Sequence, residues 1–326
     1  MAETLFQNDI LILTGADCSS PAVEISKIAS KYKIPVISNG ANASSLSSRE
    51  DFPWFIRVVT PSEEYDRYLI ELAHSMGINE IAYLYTTDAW GLGARKVIHD
   101  SVNKKNILIK KEFGFKRDTN QETINDYISE IISVGIKSIV ITGPTPDTVR
   151  IFKSLDKYEF NKKGNTIFAT EMISADESID AVNGSTGYFA PMTFLENTEE
   201  LSQFKIELSS KLDKEIDINS KAFFYGALSY DHIYTIAHAI NSINSKNHVV
   251  TPQSLMDSLR KVDFNGVTGR VYFSQKSNDR INMPLQIMNS HGFDESSNSV
   301  KFESVATVSS DGNLVVDHSK ILLPGY

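Results

Sequence analysis

The chain has 326 residues, room for one large domain or two of medium size. Its 41% hydrophobic and 22% charged residues are ordinary for a soluble globular protein. The formal net charge of −9, with basic residues clustering no further than Lys104-Lys105 and Lys162-Lys163, excludes the basic face of a nucleic-acid binder or of a protein docked on an anionic membrane.

In chain order, Ile10–Leu13 reads as a strand, apolar without alternation, as in a parallel strand covered on both faces. A glycine turn at Gly15 follows. The helix after it covers Ala22 to Tyr32, with Ser20 as its N-cap and Pro21 where a missing N–H costs nothing. Ile34–Ser38 and Phe55–Val59 are strands. Ser62 is expected to cap a helix that runs to Met76 and stops at Gly77, with Glu63 and Glu64 at its positive end. From Ile81 the alternation continues. Strands are expected at Ile81–Tyr85, Ile107–Ile109, Ser138–Ile141, Thr166–Ala169 and Gly187–Ala190, with helices at Trp90–Val102, Gln121–Val134 and Pro146–Tyr158 between them. Repeated βα units with short links predict parallel sheets with helices on both faces. Beyond Pro191 come three helices, Thr198–Leu212, Ala222–Ile243 and Pro252–Leu259, the last capped by Thr251. Short β runs close the chain at Arg270–Phe273, Leu285–Met288 and Ser304–Val308.

Seven stretches, in order, carry a family resemblance. They are Gly15–Pro21; Ile34–Ser38 with Gly40-Ala41-Asn42; Arg57–Ser62; Asp88-Ala89-Trp90-Gly91; Thr170-Glu171-Met172; Ala227–Asp231; and Phe264–Gly269. Together they resemble the type I periplasmic binding proteins. The branch is that of the bacterial leucine/isoleucine/valine-binding proteins and of the extracellular ligand-binding regions of metabotropic glutamate receptors and receptor guanylate cyclases. The resemblance implies an α/β fold of two lobes, with 1–77 and 193–268 forming lobe one and 78–192 and 269–326 forming lobe two. Ligand is expected in the cleft between lobes that close upon it. The family's opening strand–helix–strand–helix run has no counterpart here, so the first lobe is expected to be incomplete.

Residue roles follow from the same resemblance. Ser19, Ser20 and the amides of the first helical turn match the place where relatives hold an α-carboxylate. Gly40 and Asn42 match a second turn, with Asn42 standing where relatives carry threonine. Glu171 matches the acid that receives the α-ammonium, and Trp90 an aromatic laid against the ligand. Glu63, Asp88 and Thr145 occupy neighbouring loop positions, while Tyr225 is expected in the core. A desolvated ammonium needs an anion, so Ser19 and Glu171 together would read a zwitterion.

No pattern for catalysis occurs. The seven histidines are scattered, and neither a HExxH, a Walker loop nor a Gly-x-Ser-x-Gly is present. Gly91-Leu92-Gly93 lacks the third glycine of a dinucleotide fingerprint. Asn42-Ala43-Ser44 and Asn183-Gly184-Ser185 are glycosylation acceptors if the chain is exported. The single cysteine, Cys18, excludes an internal disulfide and a cysteine-rich metal site. No apolar run is long enough to cross a membrane, and Met1–Gln7 lacks the order of a signal peptide. The expectation is a non-catalytic, cofactor-free module that binds an amino acid or similar zwitterion and no nucleic acid. The resemblance implies an extracellular or periplasmic setting, a membrane link only through a segment outside this chain, and a homodimer as one assembly. A cytoplasmic sensor on the same fold, and a truncated module with no small ligand, stay open beside it.

Overall fold

The computed structural model describes residues 9–161, 164–170, 186–195, 197–216, 218, 221–281, 283–294, 299–308 and 312–324. The chain divides into two compact units: Met1–Ser62 with Thr193–Pro284, and Glu63–Met192 with Leu285–Tyr326.

Unit one holds a three-stranded parallel sheet of β1 (Leu13–Thr14), β2 (Val36–Ser38) and β3 (Phe55–Arg57), in that order. Pleating sends successive side chains to opposite faces. Val36 and Phe55 therefore meet α1 (Ser19–Tyr32) through Ala22 and Ala29. Ile37 and Ile56 meet the other side, where α7 (Lys221–Asn244) brings Ala239 and Ile243 and α8 (Pro252–Leu259) brings Leu255 and Leu259. α6 (Glu199–Leu212) and an antiparallel hairpin, β9 (Asp263–Gly266) with β10 (Gly269–Tyr272), complete the unit. Thr251 caps α8 as expected, in a reciprocal box with Ser254.

The hairpin accounts for two of the seven stretches. Asp231 of α7 accepts the amides of Val267 and Thr268 at 2.8 and 2.9 Å, along with the Thr268 hydroxyl. A Cβ on Gly266 would stand 2.4 Å from the same carboxylate, so only glycine lets the turn come this close. Ala227–Asp231 and Phe264–Gly269 are thus two sides of one buried contact.

Unit two contains α2 (Ser62–Ser75) from Glu63 onward. Its eight-stranded sheet has the order β13-β12-β11-β8-β7-β6-β4-β5. β4 (Glu80–Thr86), β5 (Leu108–Phe115), β6 (Ser138–Thr142), β7 (Thr166–Ala169) and β8 (Tyr188–Thr193) pair in parallel. β11 (Leu285–Asp294), β12 (Ser299–Val308) and β13 (Leu314–Val316) run antiparallel. β11 and β12 are longer than their short apolar cores predict, and β9 and β13 had no strand signal. α4 (Gln121–Ser133) and α5 (Thr145–Lys157) cover one face through Ile128 and Phe152. α2 and α3 (Ala89–Lys105) cover the other through Leu69 and Ile98.

Two boundaries differ from the expected lobes. α2 falls in unit two because Tyr68, Leu69, Ile70 and Leu72 share a core with Tyr83, Val140 and Phe168. Residues 269–284 fall in unit one because Val271 and Phe273 pack on Ile37, Ile56 and Val58, and Asp279 pairs with Arg57.

Candidate ligand-binding site

In an open α/β sheet the polar loops gather past the carboxyl ends of the strands. In unit one these are the turns after β1 and β2. The first turn is tight, with positive φ at Gly15 (97°) and at Ala16 (59°), where a side chain is tolerated rarely. α1 begins at Ser19, three residues earlier than expected. Its N-cap is Cys18 rather than Ser20, and Cys18 makes no side-chain capping bond. The amides of Ser19 and Ser20 have no acceptor among the described residues, since the first helical bond runs from Ala22 N–H to the Cys18 carbonyl. Ser19 is buried, and its Oγ accepts the Ala43 amide at 3.1 Å. One lone pair and the hydroxyl proton stay available, because a serine hydroxyl donates once and accepts twice.

The second turn is clamped to the first by residues the sequence reading passed over. Ser38 donates to the Ala16 carbonyl at 3.3 Å and accepts the Gly40 and Ala41 amides at 3.2 and 3.0 Å. A Cβ on Gly40 would lie 2.7 Å from Asp17 Cβ, so glycine permits the two turns to touch. Arg57 is fully buried. It donates to the Ala41 and Ala43 carbonyls at 3.1 and 2.8 Å and to Ser47 Oγ at 2.7 Å, and pairs with Asp279 at 2.7 Å. Asn42 is therefore fixed at both neighbours; its carbonyl accepts the Ser62 amide, and its side-chain amide has no partner among the described residues. The signal for Arg57 was present: an arginine inside the apolar run Phe55–Val59 must find acceptors.

A cavity of about 400 Å³ opens beside these turns, lined by Asp17, Asn39 and Gly40 and by Tyr225, Gly226 and Ser229 of α7. Tyr225 is 45% exposed and belongs to this wall rather than to the core. The cavity takes in Gly40 but neither Ser19, Ser20 nor Asn42, and it brings in a carboxylate, Asp17, that the sequence reading did not single out.

In unit two the expected residues divide. Asp88 is committed to structure. Its Oδ1 accepts the Gly91 amide at 3.0 Å as the N-cap of α3, and its Oδ2 accepts Arg117 at 3.0 and 2.8 Å. Gly91 is obligatory, since a Cβ would fall 1.8 Å from the Thr86 carbonyl. Trp90 is buried, and among the described residues its Nε1 has no acceptor. Thr145 is buried at the start of α5. Glu63 is exposed on the first turn of α2, which opens at Ser62 with its Oγ unpartnered rather than capping. Glu171 lies outside the described residues. Its neighbour Thr170 follows β7, and its buried hydroxyl has no partner among the described residues.

Asp66, on α2, gave no signal of its own in the sequence. It is 1% exposed, and among the described residues both carboxylate oxygens lack a donor. Burial, then the nearby charge of Glu63, holds its carboxyl well above the usual range, so the group is protonated in the folded unit at pH values where a free aspartate is charged.

A family described as "Receptor family ligand binding region" matches residues 1–292. Glutamate receptor 3.1 of Oryza sativa subsp. japonica is 22% identical over 304 residues, covering 83% of this chain and 32% of the receptor. Metabotropic glutamate receptor-like protein E of Dictyostelium discoideum is 20% identical over 307 residues, covering 90% of this chain and 36% of that protein. The chain thus spans about a third of the length of these curated relatives. Among solved structures, an ABC transporter substrate-binding protein from Desulfitobacterium hafniense, in complex with Leu, superposes with a TM-score of 0.69 at 17% identity, covering 93% of this chain and 83% of that one. No helix among the described residues is long and apolar enough to cross a membrane.

Proposed function

Because the chain belongs to the family of receptor ligand-binding regions, we propose that it binds an amino acid and releases it unchanged. The observation that carries this reading is the first turn of unit one. An uncapped helix start leaves the Ser19 and Ser20 amides without acceptors beside two hydroxyls, and the neighbouring turn is locked in place by Ser38 and Arg57. Donors of this kind, already ordered and at the positive end of a helix, suit a carboxylate. The likeness to a substrate-binding protein solved with Leu supports the ligand class. In this reading Glu171 receives the ammonium, and the two units close on the occupied site. Both steps rest on the family resemblance, as do placement outside the cell membrane and a role in transport or signalling.

Calorimetry of the 326-residue chain against the proteinogenic amino acids tests the proposal. At least one should bind with simple stoichiometry, and Ser19→Ala and Glu171→Ala should each weaken it more than tenfold, about 1.4 kcal/mol. Ser20→Ala separates contact from positioning. Ser19→Ala also orphans the Ala43 amide, whereas the Ser20 hydroxyl has no partner to lose among the described residues. Unchanged affinity in both Ser19→Ala and Glu171→Ala removes the zwitterion reading.

A further inference from the structure

A second cavity of unit one shares no residue with the turns described above. It measures about 270 Å³ and is walled by α6, α7 and the loop after β9. One part of its lining is aromatic. Tyr230, Tyr234 and His238 recur every four residues along α7, a spacing that stacks them on one helix face. The Tyr230 and Tyr234 rings lie 4.5 Å apart and 21° from parallel. Phe204 of α6 leans on Tyr230 at 4.9 Å, and Phe264 of β9 stacks on His238 at 4.3 Å. This ladder is not consumed by the core: Tyr234 is 44% exposed.

The other half of the lining is negative. Glu200 and Glu207 stand seven residues apart on α6, with Gln203 and Phe204 between them on the same face. Gln203 donates to Glu207 at 2.8 Å, but among the described residues neither glutamate has a cationic partner. The cavity's third carboxylate, Asp231, is already saturated by Val267, Thr268 and the approach of Arg280. The negative field also reaches the Tyr230 phenol, pushed up to about 12 by its hydrogen bond to Tyr234, by burial, and by the charges of Glu207 and Asp231.

These features exclude most ligand classes. An anion would meet two unpaired carboxylates. A neutral apolar molecule would strip water from them without return. A metal ion would find no group of three or more His, Cys, Asp or Glu side chains able to hold it among the described residues. A cation with an apolar body satisfies both halves, because the carboxylates neutralise its charge and the aromatic wall takes its apolar part out of water. The volume, just under the roughly 300–1,000 Å³ of sites for drug-sized ligands, suits a small whole molecule. We propose that this cavity is a binding site for a small organic ammonium ion, held against the Tyr230–Tyr234 ladder and between Glu200 and Glu207.

The test uses choline as the probe and 3,3-dimethylbutan-1-ol, its neutral isostere, as the control, each titrated into the full chain by calorimetry. Choline should bind one to one, and the alcohol at least tenfold more weakly. Tyr234→Ala, and Glu200→Gln combined with Glu207→Gln, should each weaken choline binding tenfold or more. Both changes lie on solvent-facing side chains, and an unchanged melting temperature confirms the fold. Amino-acid binding should be unaffected by either variant, so the two sites fail independently. Equal binding of choline and the alcohol, no saturable heat with choline, or full choline affinity in the doubly substituted chain overturns the proposal.

Discussion

The most buried carboxylate of each unit, Asp231 in one and Asp66 in the other, is held in the opposite way. Unit one has a small sheet and compensates with charged groups placed inside it. Arg57 joins Asp279, Arg280 faces Asp231, and Asn278 donates to the Leu46, Ser48 and Phe52 carbonyls. Apart from Arg280 Nε and Asn278 Oδ1, which have no partner among the described residues, those groups are tied to one another and to loop backbone, so the polar interior and the shape of the site loops share one set of bonds. Unit two has a broad sheet sealed by aliphatic and aromatic clusters on both faces, and Asp66 is buried on a helix that covers one of them. Among the described residues neither of its oxygens has a donor. A satisfied polar network holds one geometry, whereas an orphaned group marks a place that gains when a partner arrives. Asp231 thus fixes a turn, whereas Asp66 keeps its bonding capacity unspent among the described residues.

The chain offers a direct way to probe each side, since its two tryptophans divide as Trp54 in unit one and Trp90 in unit two. Single-tryptophan variants report each unit's unfolding separately. The largest effect should come from Arg57→Ala. It strands Asp279 and releases the Ala41, Ala43 and Ser47 oxygens. Losing one partner of a buried pair costs roughly 3–5 kcal/mol. Urea unfolding followed at Trp54 should show that loss, while Trp90 reports little change. An equal loss at both tryptophans would mean the polar network does not belong to unit one alone.

The next effect is the acid sensitivity that His232 gives unit one. His232 is buried on α7, and burial lowers its pKa from 6.5 to about 4. The folded unit keeps the ring neutral while the unfolded chain takes a proton below 6.5. Unfolding therefore binds a proton, and stability present above pH 6.5 is lost as pH falls toward 4. At 1.36 kcal/mol per unit this amounts to about 3 kcal/mol. His232→Gln should remove that part of the slope at Trp54 and leave the Trp90 transition as it was. A wild-type slope retained in the variant would assign the effect to other groups.

What was legible in the sequence follows the same division. The βα alternation of unit two was readable because buried parallel strands such as Ser138–Ile141 are continuous apolar runs closed by glycine or proline. The roles of polar loop residues were not. Nothing in the spacing of Asp88 shows that Arg117, on a different loop, claims its carboxylate. Nothing local places Asp231 under the turn of a hairpin more than thirty residues on. The start of α1 was misread because Ser20 has good capping chemistry, yet the tight Gly15-Ala16 turn brings the chain into the helix two residues before it can cap. Long-range pairing fixed each of these, and local propensity carries no record of it.

The last effect sharpens the contrast from unit two. Asp66 is held protonated by burial, with Glu63 adding to the shift, whereas in the unfolded chain it ionises near 3.9. Stability from this group is whole at low pH and is lost as pH rises from the unfolded value toward the raised folded one, the reverse of His232. Asp66→Asn keeps the shape and cannot ionise. At pH 7 it should stabilise the Trp90 transition, with the gain vanishing below pH 4. The same substitution separates an idle orphan from a group that waits for a cation. If a bound amino acid's ammonium reaches Asp66, the variant gains stability without ligand and loses affinity with it. If the carboxyl stays neutral in both states, stability rises and affinity holds. A variant less stable than wild type at pH 7 would mean that Asp66 is ionised and paired, and the asymmetry between the units would not stand.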